Sequence, residues 1–245
     1  MTEYNRGILS IHHFILLGGF IYEAQEGIHR DRGPLARGHR CQRLLLPVGP
    51  HAGICAERAH GGRPREHDAQ KVQRYADLSS IVTKGYDSST EILARDIERL
   101  HREYPQDWFF CHDTAFMESY IKERREGDLV FINRSLEFFL TPTIAPIGES
   151  DEQAKWIAGE AEKFTQHYSA KLQGVERKGD WAEATFLVTG DDSDYGRLVP
   201  QMTVKVELVQ KSDGHFQVTH ITNTDEIADP IVKGIEDYWT LQGWQ

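Results

Sequence analysis

The chain has 245 residues, 39% of them hydrophobic, which is enough to build one buried core without cross-links. Its three cysteines, Cys41, Cys55 and Cys111, show no paired spacing, which argues against a disulfide framework and favours a reducing compartment. Residues 1–74 hold 11 Lys and Arg against 7 Asp and Glu, whereas residues 75–245 hold 17 against 31, and this acidic main part disfavours nucleic acid as a partner.

Residues 1–74 differ in composition from everything that follows them. They contain seven of the twelve His and ten of the twenty-one Gly. The stretch 28–70 keeps neither the period of a strand nor that of a helix, so it cannot bury enough apolar surface to offset its ordering entropy. We therefore predict a poorly structured leader over residues 1–74, or a stretch foreign to the native protein, and a folded domain over residues 75–245.

The longest apolar run of the leader, residues 8–22, is interrupted by His12, His13 and a pair of glycines. It is shorter than the roughly 20 residues that a membrane-spanning helix needs. The flanking residues also lack the charge pattern of a secretory signal. The sequence therefore predicts no membrane span and no targeting segment, and the cytoplasm is the default location.

Two amphipathic helices are predicted after the leader. Ser88 and Glu91 have the spacing of a capping box, and Pro105 would end the helix that they open. Asp113 can cap the second helix, which Gly127 would terminate. The residues expected to face inward are Ile92, Leu93, Ile97 and Leu100 in the first helix and Phe116, Met117, Tyr120 and Ile121 in the second.

The apolar stretch 129–140 suits either a buried strand or a helix, and Pro142 and Pro146 then require an extended loop. Ser150 and Gln153 form another possible capping box. The helix that they open carries a stripe of small and apolar residues, which permits close approach to a sheet. That stripe consists of Ala154, Ile157, Ala158, Ala161, Phe164 and Tyr168.

The block 168–222 is rich in strand signals. Residues 181–188, 202–210 and 216–222 each alternate as strands do, and turn residues lie at 178–180 and 212–214. The predicted fold class is α+β, with helices packed on a curved antiparallel sheet of three to four strands.

His220 is the main candidate for chemistry. It has the same alternation phase as Phe216 and Val218, so its side chain is expected in the same partly dry space. A histidine there can serve as a general base near neutral pH, with Asp113 as a candidate partner. The alternative is a core histidine satisfied by one hydrogen bond.

Two patterns resemble metal sites without matching their spacing. The leader contains four Cys and His residues of the types that bind zinc, but they include no Cys-x-x-Cys pair. Asp191, Asp192 and Asp194 resemble the start of a calcium loop, but Met202 stands where the closing Glu is required. No metal and no cofactor are therefore predicted. The leader residues concerned are Cys41, His51, Cys55 and His60.

Helices followed by a curved sheet, over about residues 88–222, resemble the cone-shaped fold of the nuclear-transport-factor-like superfamily. The runs 202–208 (MTVKVEL) and 214–220 (GHFQVTH) are similar to the last strand pair of periplasmic subunits of type IV secretion and conjugation channels. This resemblance implies a subunit of a secretion or transfer apparatus and a periplasmic location. Other members of the superfamily are isomerases, dehydratases and hydrolases, which implies an acid or base role for His220 and a small hydrophobic ligand inside the cone.

Domains of this shape commonly pair through the outer face of the sheet, which implies contact roles for Lys205 and Glu207. Tyr238, Trp239 and Trp244 lie beyond the predicted core and suit an exposed aromatic patch, although packing against the first helix is the alternative. The leading hypothesis is a non-enzymatic binding or assembly domain that contacts protein partners or itself. The alternative is a cone-fold enzyme or small-ligand binder that uses His220.

Overall fold

The computed structural model describes residues 69–243. Within that range the chain forms six α-helices, a short 3-10 turn at Trp108–Phe110 and one four-stranded sheet. The helices are α1 (Ala69–Tyr75), α2 (Leu78–Glu103), α3 (Thr114–Leu140), α4 (Glu149–Thr165), α5 (Asp194–Arg197) and α6 (Thr224–Leu241), and the strands are β1 (Tyr168–Lys178), β2 (Trp181–Gly190), β3 (Met202–Gln210) and β4 (Phe216–Ile221).

The strands form an antiparallel meander in the order β1-β2-β3-β4, and the sheet is curved without closing. The predicted α+β class and the strands expected at 181–188, 202–210 and 216–222 are confirmed. In β1, Tyr168 begins a strand and does not continue the α4 stripe as predicted. The β1–β2 turn contains Gly179 at φ 70°, where a residue without Cβ avoids steric strain.

One face of the sheet, here called the inner face, packs against the helices. Its alternate residues on β2 and β3 are buried, as are apolar residues of α3, α4 and α6 in the same core. The small side chains predicted for the α4 stripe, such as Ala154 and Ala161, are fully buried. The inner-face residues of the two central strands are Ala182, Ala184, Phe186, Val188, Met202, Val204, Val206 and Leu208.

Helix α2 begins ten residues before the predicted start. Asp77 caps it by accepting a hydrogen bond of 3.1 Å from the Ser80 N–H. The capping box predicted at Ser88 is therefore wrong, because that residue lies inside the helix. Its neighbour Ser89 hydrogen-bonds back to the Gly85 carbonyl, which lets a cap-type residue occupy a helix interior. The predicted inward face of this helix is buried.

Helix α3 confirms the predicted cap, since Asp113 accepts a 2.8 Å hydrogen bond from the Phe116 N–H. Gly127 does not end the helix, which continues to Leu140 and makes the ambiguous stretch 129–140 helical. Tertiary burial of that stretch outweighs the roughly 1 kcal/mol that a helical Gly costs relative to Ala.

Helix α4 starts at a different cap from the predicted one. Gly148, at φ 85°, is the N-cap, and no side chain caps the first turn, so the capping box expected at Ser150 is wrong. Instead Asp151 accepts a 2.9 Å bond from the Ile147 N–H and binds Arg134 of α3 through both carboxylate oxygens. This bidentate pair joins α3 to α4.

Candidate functional site

A β-bulge in β4 decides where His220 lies. In the register of β3 with β4, Leu208 is opposite Val218 and Glu207 is opposite His220, so Thr219 is the extra residue. An inserted residue resets the alternation of side chains. His220 therefore faces away from Val218, and the prediction that the two share one space is wrong.

The outer face is the side of the sheet opposite the inner face, and it carries Glu183, Thr203, Lys205, Glu207 and His220. On β1, β2 and β3 none of its side chains is buried. Among the described helices, α1 accepts a hydrogen bond from Gln217 of β4 through the Gln73 carbonyl, the Lys84 side chain of α2 reaches Glu207, and the first turn of α6 contacts Lys205 of β3. The sequence-predicted residues Lys205, Glu207 and His220 thus lie on one accessible surface.

Glu207 is held by three side chains. Thr219 donates a 2.5 Å hydrogen bond to Glu207 Oε1. His220 Nδ1 lies 3.3 Å from the same oxygen, and Lys84 Nζ lies 3.8 Å from it. Lys84 Nζ is also 3.3 Å from His220 Nδ1. A single ring nitrogen either donates to the carboxylate or accepts from the ammonium, so these two contacts are alternatives.

The charge state of His220 follows from this environment. Burial, and then the neighbouring Lys84 ammonium, lower the pKa of His220 below its ordinary value of 6.5, while Glu207 opposes the shift. His220 is therefore neutral at neutral pH. When Nδ1 donates to Glu207, that contact is a hydrogen bond between a neutral ring and a carboxylate, not an ion pair.

Three glutamates form a row across β1, β2 and β3. Glu176 is opposite Glu183, and Glu183 is opposite Glu207. Lys178 Nζ lies 3.0 Å from Glu183, and the Thr222 hydroxyl donates to the other oxygen of Glu183 at 2.9 Å. The bond from Lys178 is the main reason that the pKa of Glu183 lies below its usual range. Glu183 is therefore charged at neutral pH.

Lys205 lies beside this row and is tied to α6. Its ammonium is 3.1 Å from Glu226, and its N–H donates a 2.8 Å hydrogen bond to the Asn223 side chain. Apolar side chains share the outer face, and the Lys178 ammonium lies 5.2 Å from the centre of the Trp181 ring. The half-buried apolar members are Trp181, Leu187 and Val209.

The sequence did not predict the glutamate row or the contribution of Lys84. The sequence did contain a signal for one of the two pairs in the row. The two-residue turn after Lys178 fixes the β1–β2 register and so sets Glu176 opposite Glu183. Glu207 could not be placed in the same way, because eleven residues that include α5 separate β2 from β3. Lys84 reaches the sheet from α2, at a sequence separation of 136 from His220.

Asp113, the predicted partner of His220, acts as the cap of α3. Within residues 69–243 no hydrogen bond or ion pair joins Asp113 to His220. The structure therefore does not assemble the two candidate catalytic residues into one group.

A Ser, a His and an Asp meet at the end of β2 but do not have the geometry of a hydrolytic triad. His167 Nδ1 lies 3.0 Å from Asp191 Oδ2 and 2.9 Å from Ser193 Oγ. A catalytic triad needs the Ser and the Asp on opposite ring nitrogens. Ser193 Oγ also accepts a 3.0 Å hydrogen bond from the Gly196 N–H, so this group stabilises the turn into α5.

The C-terminal aromatic residues are placed differently from the exposed patch that was expected. Tyr238 is 2% exposed and belongs to the core, and Trp239 packs against that core while partly accessible. Helix α6 packs on α2, with Arg99 of α2 2.6 Å from Asp229 of α6. Helix α6 thus packs on α2, whereas Tyr238 itself hydrogen-bonds to Glu160 of α4. Trp244 lies outside the described residues, as do the four leader residues that were considered as zinc ligands.

Comparisons of the chain with protein-family models, with curated proteins and with solved structures found no match. The helices between residues 69 and 243 are too short or too polar to cross a membrane. In the same range no three His, Cys, Asp or Glu side chains are grouped closely enough to hold a metal ion. Functional inference therefore depends on the outer face itself.

Proposed function

We propose that the protein is a non-enzymatic binding or assembly module and that the outer face is its contact surface for a protein partner. The observation that carries the proposal is the alignment of Glu176, Glu183 and Glu207 on an accessible sheet face. Like charges directly opposite one another on adjacent strands are destabilising. Proteins keep such locally unfavourable arrangements chiefly at functional sites.

The composition of the outer face supports the same proposal. Half-buried Trp181, Leu187 and Val209 supply apolar area between charged groups of both signs. Protein interfaces typically combine an apolar, aromatic centre with a polar rim. The fixed charges of Glu183 and Lys205 would select a partner of complementary charge and set its register.

The test compares two Arg substitutions in the full chain. Thr203 is exposed on the outer face opposite Leu187, whereas Val130 is 70% exposed on α3. We expect Thr203→Arg to abolish co-purification of the native partner from the source cells, and Val130→Arg to leave it unchanged. Both variants should keep the melting temperature of the original chain. Retention of the same partners by Thr203→Arg would contradict the proposal.

The proposal extends to the type of assembly, a secretion or conjugative transfer apparatus. Support for this part comes from the similarity of the sequence in β3 and β4 to the last strand pair of periplasmic channel subunits. It predicts that the protein fractionates with the periplasm in its native host. Recovery in the cytoplasmic fraction alone would contradict this part and leave the outer-face proposal standing.

A second candidate function is acid–base chemistry at His220, of the isomerase, dehydratase or hydrolase type. The observation in its favour is a neutral, half-buried imidazole between a carboxylate and an ammonium group, an environment that suits proton transfer near neutral pH. Its small-molecule ligand would bind on the outer face beside Glu207. If this candidate is correct, His220→Ala abolishes turnover of that ligand without unfolding the protein, and full retained activity would exclude it.

A further inference from the structure

Over residues 171–176 the first strand of the sheet has an edge that no other described strand pairs with. β1 is eleven residues long and pairs only with β2 among the described strands. The segment 171–176 is exposed except for Leu172, which packs partly against the core. Val175 points to the inner face, opposite Ala184, and is nevertheless 54% exposed. An open strand edge with an exposed apolar residue beside it is a template for another strand.

A bulge in β1 gives this edge an unusual symmetry. The register passes from Leu172 opposite Phe186 to Gly174 opposite Thr185, so Gln173 is the extra residue. As a result, residues at equal distances before and after the Gln173–Gly174 bond point to the same face of the sheet. Lys171 and Glu176 both lie on the outer face, while Leu172 and Val175 both lie on the inner face.

We infer that the β1 edge pairs antiparallel with the β1 edge of a second copy of this chain, with Gln173 opposite Gly174 of that copy. In this register Lys171 is opposite Glu176 of the second copy on the outer face. Leu172 is opposite Val175 of the second copy on the inner face. A two-fold axis repeats each pair, so on both sides of the axis opposite charges face each other and apolar side chains face each other.

The second copy also supplies a positive charge at the end of the glutamate row. Glu176 ends the glutamate row and is 76% exposed, and its nearest ammonium group among the described residues, Lys178, is 4.0 Å away. Lys171 of the second copy would extend the row with a positive charge. Charged side chains on an edge strand usually oppose pairing, but in this register each charge meets one of opposite sign. The pairing would join two sheets into one of eight strands.

The inference shares Glu176 with the proposed contact surface but does not rest on the proposed function, because the pairing uses the backbone edge of β1 and not the centre of the outer face. The test measures self-association of the full chain by sedimentation equilibrium over a concentration series up to about 1 mM, a range suited to a small interface. The variants are Lys171→Glu, the charge swap Lys171→Glu/Glu176→Lys, and Lys122→Glu, which makes the same charge change at an exposed position on α3. Thermal melts check that each variant remains folded.

We expect the original chain and Lys122→Glu to dimerise equally. Lys171→Glu should weaken the dimer by roughly tenfold or more, because two attractive pairs become repulsive, and the charge swap should restore it. A monomeric original chain, a dimer indifferent to Lys171→Glu, or failure of the swap to restore association would each overturn the inference. A dimer sensitive to Thr203→Arg but not to Lys171→Glu would show self-association through the outer face instead.

Discussion

The Tyr238 hydroxyl of α6 donates a 3.0 Å hydrogen bond to Glu160 Oε2 of α4 inside the core. The other oxygen of Glu160 accepts a 2.6 Å bond from the Lys163 ammonium group. A buried carboxylate is tolerated only when its oxygens are satisfied in this way. The bond therefore fixes the position of α6 relative to α4, and it accounts for the burial of an aromatic residue that the sequence placed on the surface.

Removing this hydroxyl should destabilise the protein. We expect Tyr238→Phe to lower the free energy of unfolding by about 1–3 kcal/mol, because a buried acceptor loses its donor. Tyr120→Phe is the matched control, since Tyr120 is partly exposed and its hydroxyl makes no hydrogen bond with another described side chain. Urea unfolding measures both values. Equal effects for the two variants would contradict a specific role of the Glu160 bond.

Alkaline pH should weaken the attachment of α6. Burial, and then the neighbouring Asp107 carboxyl group, raise the pKa of Glu236 from 4.5 to about 8, so Glu236 holds a proton at neutral pH in the folded state. The folded state thus binds this proton more tightly than the unfolded state, so its stabilising contribution is complete below about pH 4.5 and is lost as the pH rises through about 8.

Glu236→Gln should remove this pH dependence, because the amide resembles the protonated acid at every pH. We expect the unfolding free energy of the original chain to fall more steeply than that of the variant between about pH 4.5 and 8, where the folded state holds the proton and the unfolded state does not. Glu118→Gln, at an exposed position on α3, should follow the original chain. Parallel curves for all three proteins would show that Glu236 does not titrate there.

Acidic pH should act through His220. Its pKa is lowered in the folded state, first by burial and then by Lys84, so the unfolded chain binds more protons once the pH falls below about 6.5. Stability contributed by the neutral ring is therefore lost as the pH decreases. We expect His220→Gln to lose less stability than the original chain on acidification, measured by thermal melts across this range. His101→Gln, exposed on α2, should behave like the original chain.

The end of β2 leaves no space for a side chain at Gly190. A Cβ there would collide with the Gly196 backbone and lie 2.8 Å from the Val199 carbonyl oxygen. We expect Gly190→Ala to lower the unfolding free energy by about 1–3 kcal/mol through overpacking. Gly159→Ala, in open space on α4, should instead stabilise by about 0.5–1 kcal/mol, since it removes a helical Gly. A neutral result for Gly190→Ala would contradict the close packing of α5 on β2.

Local patterns were sufficient for several elements. The alternation in β2 and β3 predicted both strands, because successive side chains of a strand always point to opposite faces. Asp113 was identifiable as a cap because its partner lies only three residues away. In each case the determining contact is short in sequence.

Long-range contacts decided the candidate site. The bulge at Thr219 gave no sequence signal, and it moved His220 from the expected inner face to the outer one. Helix α6 was missing from the prediction, because its apolar residues become a core only after α2 and α4 are in place. Gly127 similarly failed to end α3, since tertiary burial of the following residues outweighs local propensity.

The sequence by itself determined the fold class, strands β2, β3 and β4 and the inward faces of α2 and α4, since periodicity depends on neighbours within a few residues. It failed for the predicted inward face of α3, where Phe116 is 43% exposed. Only the tertiary structure decided which side chains share the outer face. That depends on strand register and on the two bulges, at Gln173 and Thr219, which are set by pairing between distant segments. The alignment of Glu183 with Glu207, and the meeting of His220 with Lys84, are results of that pairing.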